Sequence, residues 1–541
     1  AQVKAISGLV TDVTGEPVIG ASVVEVGTTN GVITDLNGKF SLKVAPNSQF
    51  LVSYIGYKQQ TIKVGSESTY NIVLKEDAEV LDEVVVVGYG SQKKVNVTGA
   101  VGMVSAEALE ARPVANASQA LQGVVPGLNL TVGNNGGALD GTLNMNIRGA
   151  GTIGDGSGSS PLVLIDGIEG DLNTVNPNDI ESVSVLKDAA SASIYGARAS
   201  FGVILVTTKS GKSGKTNVSY SGSARFSDAI GIPDIMDSYT FAQYFNRASA
   251  NKGGGDIFAP AVMERIKAYQ EGTLKATTVD NGAGIWQKWA NANGNTDWFE
   301  EFYDHWAPSQ EHNLSINGGT DKTQYLISGS FLDQKGLMRH GSDKFQRYTL
   351  NGKITTAVTD WFKVTYSTKW TREDFERPTY LTGSFFHNLA RKWPVHPAYD
   401  PNGFPMDEGE VEQMENGGKQ NSQKDFYTNQ LQLVFEPIKN WKINLDGSVR
   451  TTTQYQHWEV LPVYAYNVDG DPYYTVWDMG YGSYAAGSSR VNEYSWKENY
   501  YTTNIYSDYF KLFDNGHYFK VMAGFNAELY KTRNITAEKN T

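Results

Sequence analysis

The sequence predicts a multidomain, strand-dominated chain: an N-terminal β-sandwich, a mixed α/β domain, and the first strands, about nine, of a transmembrane antiparallel β-barrel. Three observations carry this. Turn signals recur every few residues over 1–76, and helical pieces alternate with strands over 91–215. Over 216–541 long segments alternate between apolar and polar side chains, and their connections alternate between short and long. At 541 residues the chain exceeds what one core sustains, so several domains are expected.

In the first segment the turns are Thr14-Gly15, Asn30-Gly31, Asn37-Gly38, Pro46-Asn47 and Gly65-Ser66. Asp35, Asn37 and Gly38 begin like a calcium loop, but the distal glutamate is missing, so a turn is expected and no metal is assigned. Residues 77–90 form a linker. Its acidic start leads into Asp82, Glu83, Val84, Val85, Val86, Val87, Gly88 and Tyr89. The valine run reads either as a buried strand or, between two domains, as a detachable extended segment.

Over 91–215 short helices are expected at Ser118–Leu121, stopped by Gly123, and at Asp188–Tyr195, capped by Asp188. Strands are expected at Leu143–Ile147, Pro161–Ile165, Ser182–Leu186 and Gly202–Thr208. The loop Gly149–Ser160, with Asp155, Ser157 and Ser159, is almost wholly Gly, Ser and Asp, and reads as flexible and exposed. Gly149-Ala150-Gly151-Thr152-Ile153-Gly154 fits a dinucleotide pattern, but the Gly/Ser stretch behind it cannot open the required helix. Gly211–Thr216 fits only the end of a phosphate loop, since Lys209 stands where its first glycine belongs. No H-E-x-x-H pair or nucleophile elbow occurs, so neither enzyme activity nor a cofactor is expected.

In the last segment Phe362, Val364, Tyr366 and Trp370 interleave with Lys363, Thr365, Ser367 and Lys369. Trp441, Ile443, Leu445 and Val449 do so with Lys442, Asn444, Asp446, Ser448 and Arg450, and the pattern returns over Phe519–Leu529. A strand with lipid on one side and water on the other needs this pattern; a half-buried soluble sheet shares it. Loop lengths separate the two. Long connections over about 230–308, 371–424 and 461–490 alternate with tight turns, as barrels require, with 334–342 the one short exception. A plugged barrel takes about 22 strands, so the natural chain is expected to continue past Thr541.

The composition is consistent with this. Only 19% of residues are charged, while Gly reaches 56 and Tyr 30, which favours strands and turns. With Cys 0 there is no disulfide framework, and a net charge of -12 argues against nucleic acid as a partner. No apolar run reaches the ~18 residues of a membrane-crossing helix. The start at Ala1-Gln2, without a basic or apolar leader, suits a processed exported chain as well as a cytosolic one. Trp286, Trp289, Trp298, Trp306, Trp393, Tyr464, Tyr466, Tyr473, Tyr474 and Trp477 lie in or beside long connections. Their flat faces suit sugar rings, although interfacial girdles and partner contacts use the same residues.

Gly8–Ala21 with Thr34–Phe40 resembles a carboxypeptidase-regulatory-like domain. Ile147-Arg148-Gly149, Pro161–Gly167, Asn176–Val183, Leu186–Ala190, Ile194-Tyr195-Gly196 and Gly202–Lys209 follow the order of the plug domain of SusC-like (RagA/SusC) TonB-dependent outer-membrane transporters. The resemblance continues at Asn313-Leu314-Ser315 and Gly329–Gly336. It implies a multi-pass barrel in the bacterial outer membrane, filled by a plug, with Asp82–Tyr89 as the TonB box. Its implied partners are TonB, outer-membrane lipid and a SusD-like surface lipoprotein lid, assembled as a dimer of transporter-lid pairs. The implied activity is import of oligosaccharides, or of oligopeptides as in RagA-like relatives; a TonB-linked signalling receptor fits less well.

Overall fold

The computed structural model describes residues 4–540 apart from 13–14, 29, 36, 47, 55–56, 76–83, 88–89, 94–99, 111, 113, 133–138, 140–142, 150–159, 476, 479–482, 485–486 and 514–516. The chain divides into two compact units, residues 1–101 with 188–196, and residues 102–187 with 197–541.

In the first unit, Lys4–Thr11 pairs antiparallel with Lys39–Val44 and parallel with Thr69–Val73. A second sheet runs Gly31–Ile33, Ser22–Glu25, Gln49–Ser53 and Gln60–Lys63 in spatial order. Alternation explains why they pack. In Lys39–Val44 every second side chain, Phe40, Leu42 and Val44, joins Ile6, Val23 and Phe50 in one buried cluster. Each such burial contributes about 1.5–3 kcal/mol. The expected turn forms: the Asp35 carboxylate accepts from the amides of Asn37 at 2.9 Å and Lys39 at 2.8 Å, and Gly38 has φ 72.

Val84–Val87 is a strand, paired antiparallel, among the described residues, with Gly90–Lys93 alone. Of the expected TonB box, Asp82, Glu83, Gly88 and Tyr89 lie outside the described residues. Asp188 caps the helix Ala189–Ala192, accepting from the Ser191 amide at 2.8 Å. That helix is shorter than the expected 188–195, because the chain tightens into a 3-10 turn at Ser193 and Gly196 breaks it at φ 63 and ψ -150.

The second unit begins with a five-stranded sheet in the order Val101–Ser105, Ile180–Leu186, Val203–Thr208, Leu162–Ile165 and Ile168–Glu169. Val203–Thr208 runs parallel to Leu162–Ile165 and antiparallel to Ile180–Leu186. Asp166 (φ 50) and Gly167 (φ 86) make the two-residue turn into Ile168, since both positions need positive φ in this hairpin type. Asn116 caps the helix Ala117–Leu121, one residue earlier than expected, and Gly123 (φ 73) follows its end. Leu109, Leu121, Leu172, Val183 and Ile204 share its core. Asp155, Ser157 and Ser159 lie outside the described residues.

The remainder is one antiparallel sheet of nine strands, the number expected: Gly214–Ser227, Ala307–Gly319, Thr323–Lys335, Lys344–Thr359, Phe362–Pro378, Lys419–Ile438, Trp441–Val460, Arg490–Leu512 and Tyr518–Asn540. Register aligns like with like. Val364, Leu433, Leu445, Ile505 and Phe525 stand side by side across five consecutive strands. Apolar side chains on this face, among them Leu350, Leu431, Ile505 and Phe525, are exposed. On the other face polar residues are buried, with Arg347 at 2%, Thr371 at 0% and Gln430 at 3% exposure. This reverses a soluble sheet and suits a face turned to lipid. No helix among the described residues is long and apolar enough to cross a membrane.

The long connections are more ordered than their sequence suggests. They carry the helices Ser238–Asn251, Pro260–Gln270, Trp298–Phe302, Gly383–Leu389 and Val411–Asn416. These bury two cores of their own. One holds Trp298, Phe302, Phe385, Val411 and Met414; the other Phe258, Val262, Ile266 and Val395.

Candidate ligand-binding site

Two polar constructions in the second unit are candidates for function. The first is the seam between the α/β portion and the polar face of the sheet. Asn176 donates to Glu311 at 3.1 Å and to Asn313 at 2.5 Å. Ser328 and Asn351 each donate to the Asp179 carboxylate at 2.7 Å. Burial pushes the Asp179 carboxyl above the usual range, against the pull of those bonds. Arg347 donates to the carbonyls of Asn173, at 2.8 Å, and Ala115. Gln430 donates to the Asp166 carbonyl at 3.1 Å, Arg450 to that of Glu169, and Arg198 bridges Glu169 and Glu528. Nearly every link is a hydrogen bond, so the seam is specific without depending on apolar burial.

The second is a cavity of about 760 Å³ among the long connections, within the ligand-pocket range. Trp289, Trp393, Tyr380, Tyr473 and Tyr474 line it, with Lys288, Arg391, Lys392, Asp407, Glu408 and Glu410. Four rings stack in a column ending there. Trp289 lies 4.6 Å from His396 at 12°, His396 6.0 Å from Trp298 at 21°, and Trp298 6.0 Å from Phe302 at 19°. Trp298 and Phe302 are fully buried, whereas Trp289 is half-buried and reaches the cavity.

The imidazole in the column is neutral, because burial and the nearby Lys392 charge push its pKa down to about 3. It donates Nε2–H to the Asp407 carbonyl at 3.1 Å, leaving Nδ1 to accept from the Trp289 amide at 3.4 Å. Lys288 pairs with Asp407 at 2.7 Å and Glu408 at 2.6 Å. Burial pushes the Lys288 pKa down, but those two carboxylates outweigh it and the net direction is up. Lys392 pairs with Glu410 at 3.2 Å and donates to the Glu408 carbonyl at 2.8 Å. Here burial wins and the Lys392 pKa is lowered despite Glu410. Burial, then the Asp407 charge, pushes the Tyr473 phenol up to about 12. Trp289 (φ 52), Glu408 (φ 63) and Glu410 (φ 72) hold left-handed backbone without being glycine, a strain these bonds offset and one that gathers at binding sites.

Of the aromatic residues singled out by sequence, Trp289, Trp393, Tyr473 and Tyr474 meet at this cavity. Tyr464 packs on Tyr474 with centroids 4.9 Å apart, and Tyr466 stacks on Phe404 at 4.0 Å. Trp286 bridges to Asp280 through its backbone, Trp298 is core, and Trp306 is exposed. Trp477 pairs with Tyr484 along the backbone, and its side chain lies outside the described residues. Sequence reasoning missed Lys288, Tyr380, Arg391, Lys392, His396 and the acidic run Asp407-Glu408-Gly409-Glu410. Only that run, charged and glycine-interrupted, carries a local signal, and the signal is for a loop.

His340 holds three connections together. Its Nε2 faces Glu301 at 2.9 Å and its Nδ1 faces Glu415 at 2.7 Å, with Phe302 edge-on to the ring. Tyr399 also bonds Glu301, and Arg339 lies nearby. Burial lowers the His340 pKa, but the two carboxylates outweigh it and the net shift is upward. A raised folded-state value stabilises fully below the unfolded pKa of about 6.5 and is lost as pH rises through the folded value. Wild type should therefore exceed His340→Gln in melting temperature at pH 5 to 6 and converge with it toward pH 9. A gap constant over that range would refute the clamp.

Residues 93–203 match the TonB-dependent Receptor Plug Domain family and residues 6–86 the CarboxypepD_reg-like domain family. The chain is 36% identical over 360 residues to the TonB-dependent receptor SusC of Bacteroides thetaiotaomicron, covering 64% of this chain and 32% of that one. It is 32% identical over 393 residues to the TonB-dependent receptor P39 of Formosa agariphila, covering 72% and 34%. It thus spans about a third of the length of these curated relatives. Its fold is shared with the RagAB peptide importer in the open-open state, with a TM-score of 0.67 at 24% identity over 85% of this chain and 50% of that one. With a regulatory-like domain, a plug and a nine-stranded sheet in that order, the chain belongs to the SusC-like TonB-dependent receptors.

Proposed function

We propose that the protein imports oligosaccharides across the bacterial outer membrane in a TonB-dependent manner, with a SusD-like lipoprotein as lid, and performs no covalent chemistry. The supporting observation is the aromatic column. Its buried end fixes Trp289 rigidly, while Trp289 itself borders a cavity rich in hydrogen-bonding groups. A sugar presents just these complements: a face of C–H groups for the negative face of a ring, and hydroxyls for carboxylates and amides. Rigidity matters because the ligand then spends little of its binding energy on ordering the site.

Trp289→Ala should weaken binding of the oligosaccharide that copurifies with the full-length transporter and its lid by about 2 kcal/mol, roughly 30-fold. The copurified ligand is identified by mass spectrometry, and affinity is then measured by calorimetry. A copurified peptide in place of a glycan would instead establish peptide import.

A further inference from the structure

We infer that the ligand accepted at the Trp289 cavity is an anionic oligosaccharide, and that Arg391 is the residue that selects its negative group. This rests on the glycan reading above and names the class of glycan. The formal charges lining the cavity balance, three cations against three carboxylates, but their pairing is unequal. Lys288 is committed to Asp407 and Glu408, and Lys392 to Glu410 and the Glu408 carbonyl. Tyr380 and Asn388 further engage Glu410, at 2.9 Å and 3.0 Å. Each of the three carboxylates is thus already engaged by a lysine.

Arg391 is different. Among the described residues its guanidinium meets no carboxylate, and its one side-chain partner is Asn388 Oδ1 at 3.1 Å. Asn388 cannot turn away to follow it, because its own amide is held by Glu410. One edge of the guanidinium is therefore fixed while its remaining N–H donors are uncommitted at an exposed position on the cavity wall. A planar fork of donors with an empty edge fits two oxygens of one anionic group, a carboxylate or a sulfate ester, better than it fits a neutral hydroxyl. Lysine in its place would keep the charge and lose the two-point geometry.

The test uses the full-length transporter with its lid on an array of neutral, uronate-bearing and sulfated oligosaccharides, followed by affinity measurement. Bound glycans should carry a carboxylate or sulfate, and Arg391→Gln should weaken them at least tenfold, with Arg391→Lys recovering part. Carboxyl-reduced or desulfated versions of the same glycan should bind wild type and Arg391→Gln alike. The uronate and sulfate arms separate the two sources of charge. Preference for neutral glycans, or unchanged affinity in Arg391→Gln, overturns the inference while leaving glycan import standing. Binding of no glycan, with peptides captured instead, overturns the glycan reading itself.

Discussion

Deletion of Asp82–Gly90 is expected to abolish uptake while leaving membrane insertion and ligand binding at the outer face nearly unchanged. Among the described residues Val84–Val87 pairs only with Gly90–Lys93, in a two-stranded ladder. A two-stranded hairpin is marginal in water, and one edge of the valine strand has no partner strand in that ladder. Such an edge can be completed by a strand from a periplasmic protein, with backbone hydrogen bonds supplying the affinity. Were the valines a core strand, deletion would lose about 1.5–3 kcal/mol per buried side chain, and expression, binding and uptake would fall together. Proline at Val85 is the finer version, since it removes one backbone donor and keeps length. Normal uptake after deletion of the whole segment would rule out the contact role.

Arg347→Met should loosen the plug without unfolding the sheet. Arg347 is 2% exposed and donates to two carbonyls of the α/β portion, those of Ala115 and Asn173. Hydrogen bonds from a charged donor contribute about 1.5–3 kcal/mol each, so both together amount to about 3–6 kcal/mol. Methionine fills most of the volume but leaves both carbonyls unsatisfied. Cells carrying the full-length variant should become sensitive to antibiotics too large for intact outer membranes, with normal heat-modifiable mobility of the barrel on gels. Unchanged sensitivity together with unchanged plug protection from protease would refute the role.

Much of the fold was legible because few physical rules generate it. A strand between lipid and water repeats every two residues, so Val521, Ala523 and Phe525 against Lys520 and Asn526 announce themselves without any partner in view. Asp188 as a helix cap and Asp35 with Gly38 as a turn depend on neighbours within a few residues. The cavity was legible only in part. Trp289 and Trp298 look alike in sequence, both in a long connection, yet one reaches the cavity and the other is fully buried. What separates them is tertiary: His396 stands between them, about a hundred positions away in sequence. The Lys288–Asp407 pair spans a similar separation, and the left-handed backbone falls at Glu408 and Glu410 rather than at Gly409 between them, where a sequence reading would place it. Long connections were expected to be loops because their patterns are short; their helices of five to seven residues persist through the cores they share.

Those cores bear on how quickly a ligand can be captured. A surface of floppy loops has to wait for the right arrangement, and encounter is then slowed by the fraction of time that arrangement exists. Here Trp298, Phe302, Phe385 and Met414 lock the connections before any ligand arrives. For the ligand proposed above, encounter is then expected to be governed by diffusion and charge, with discrimination exercised through how long each ligand stays.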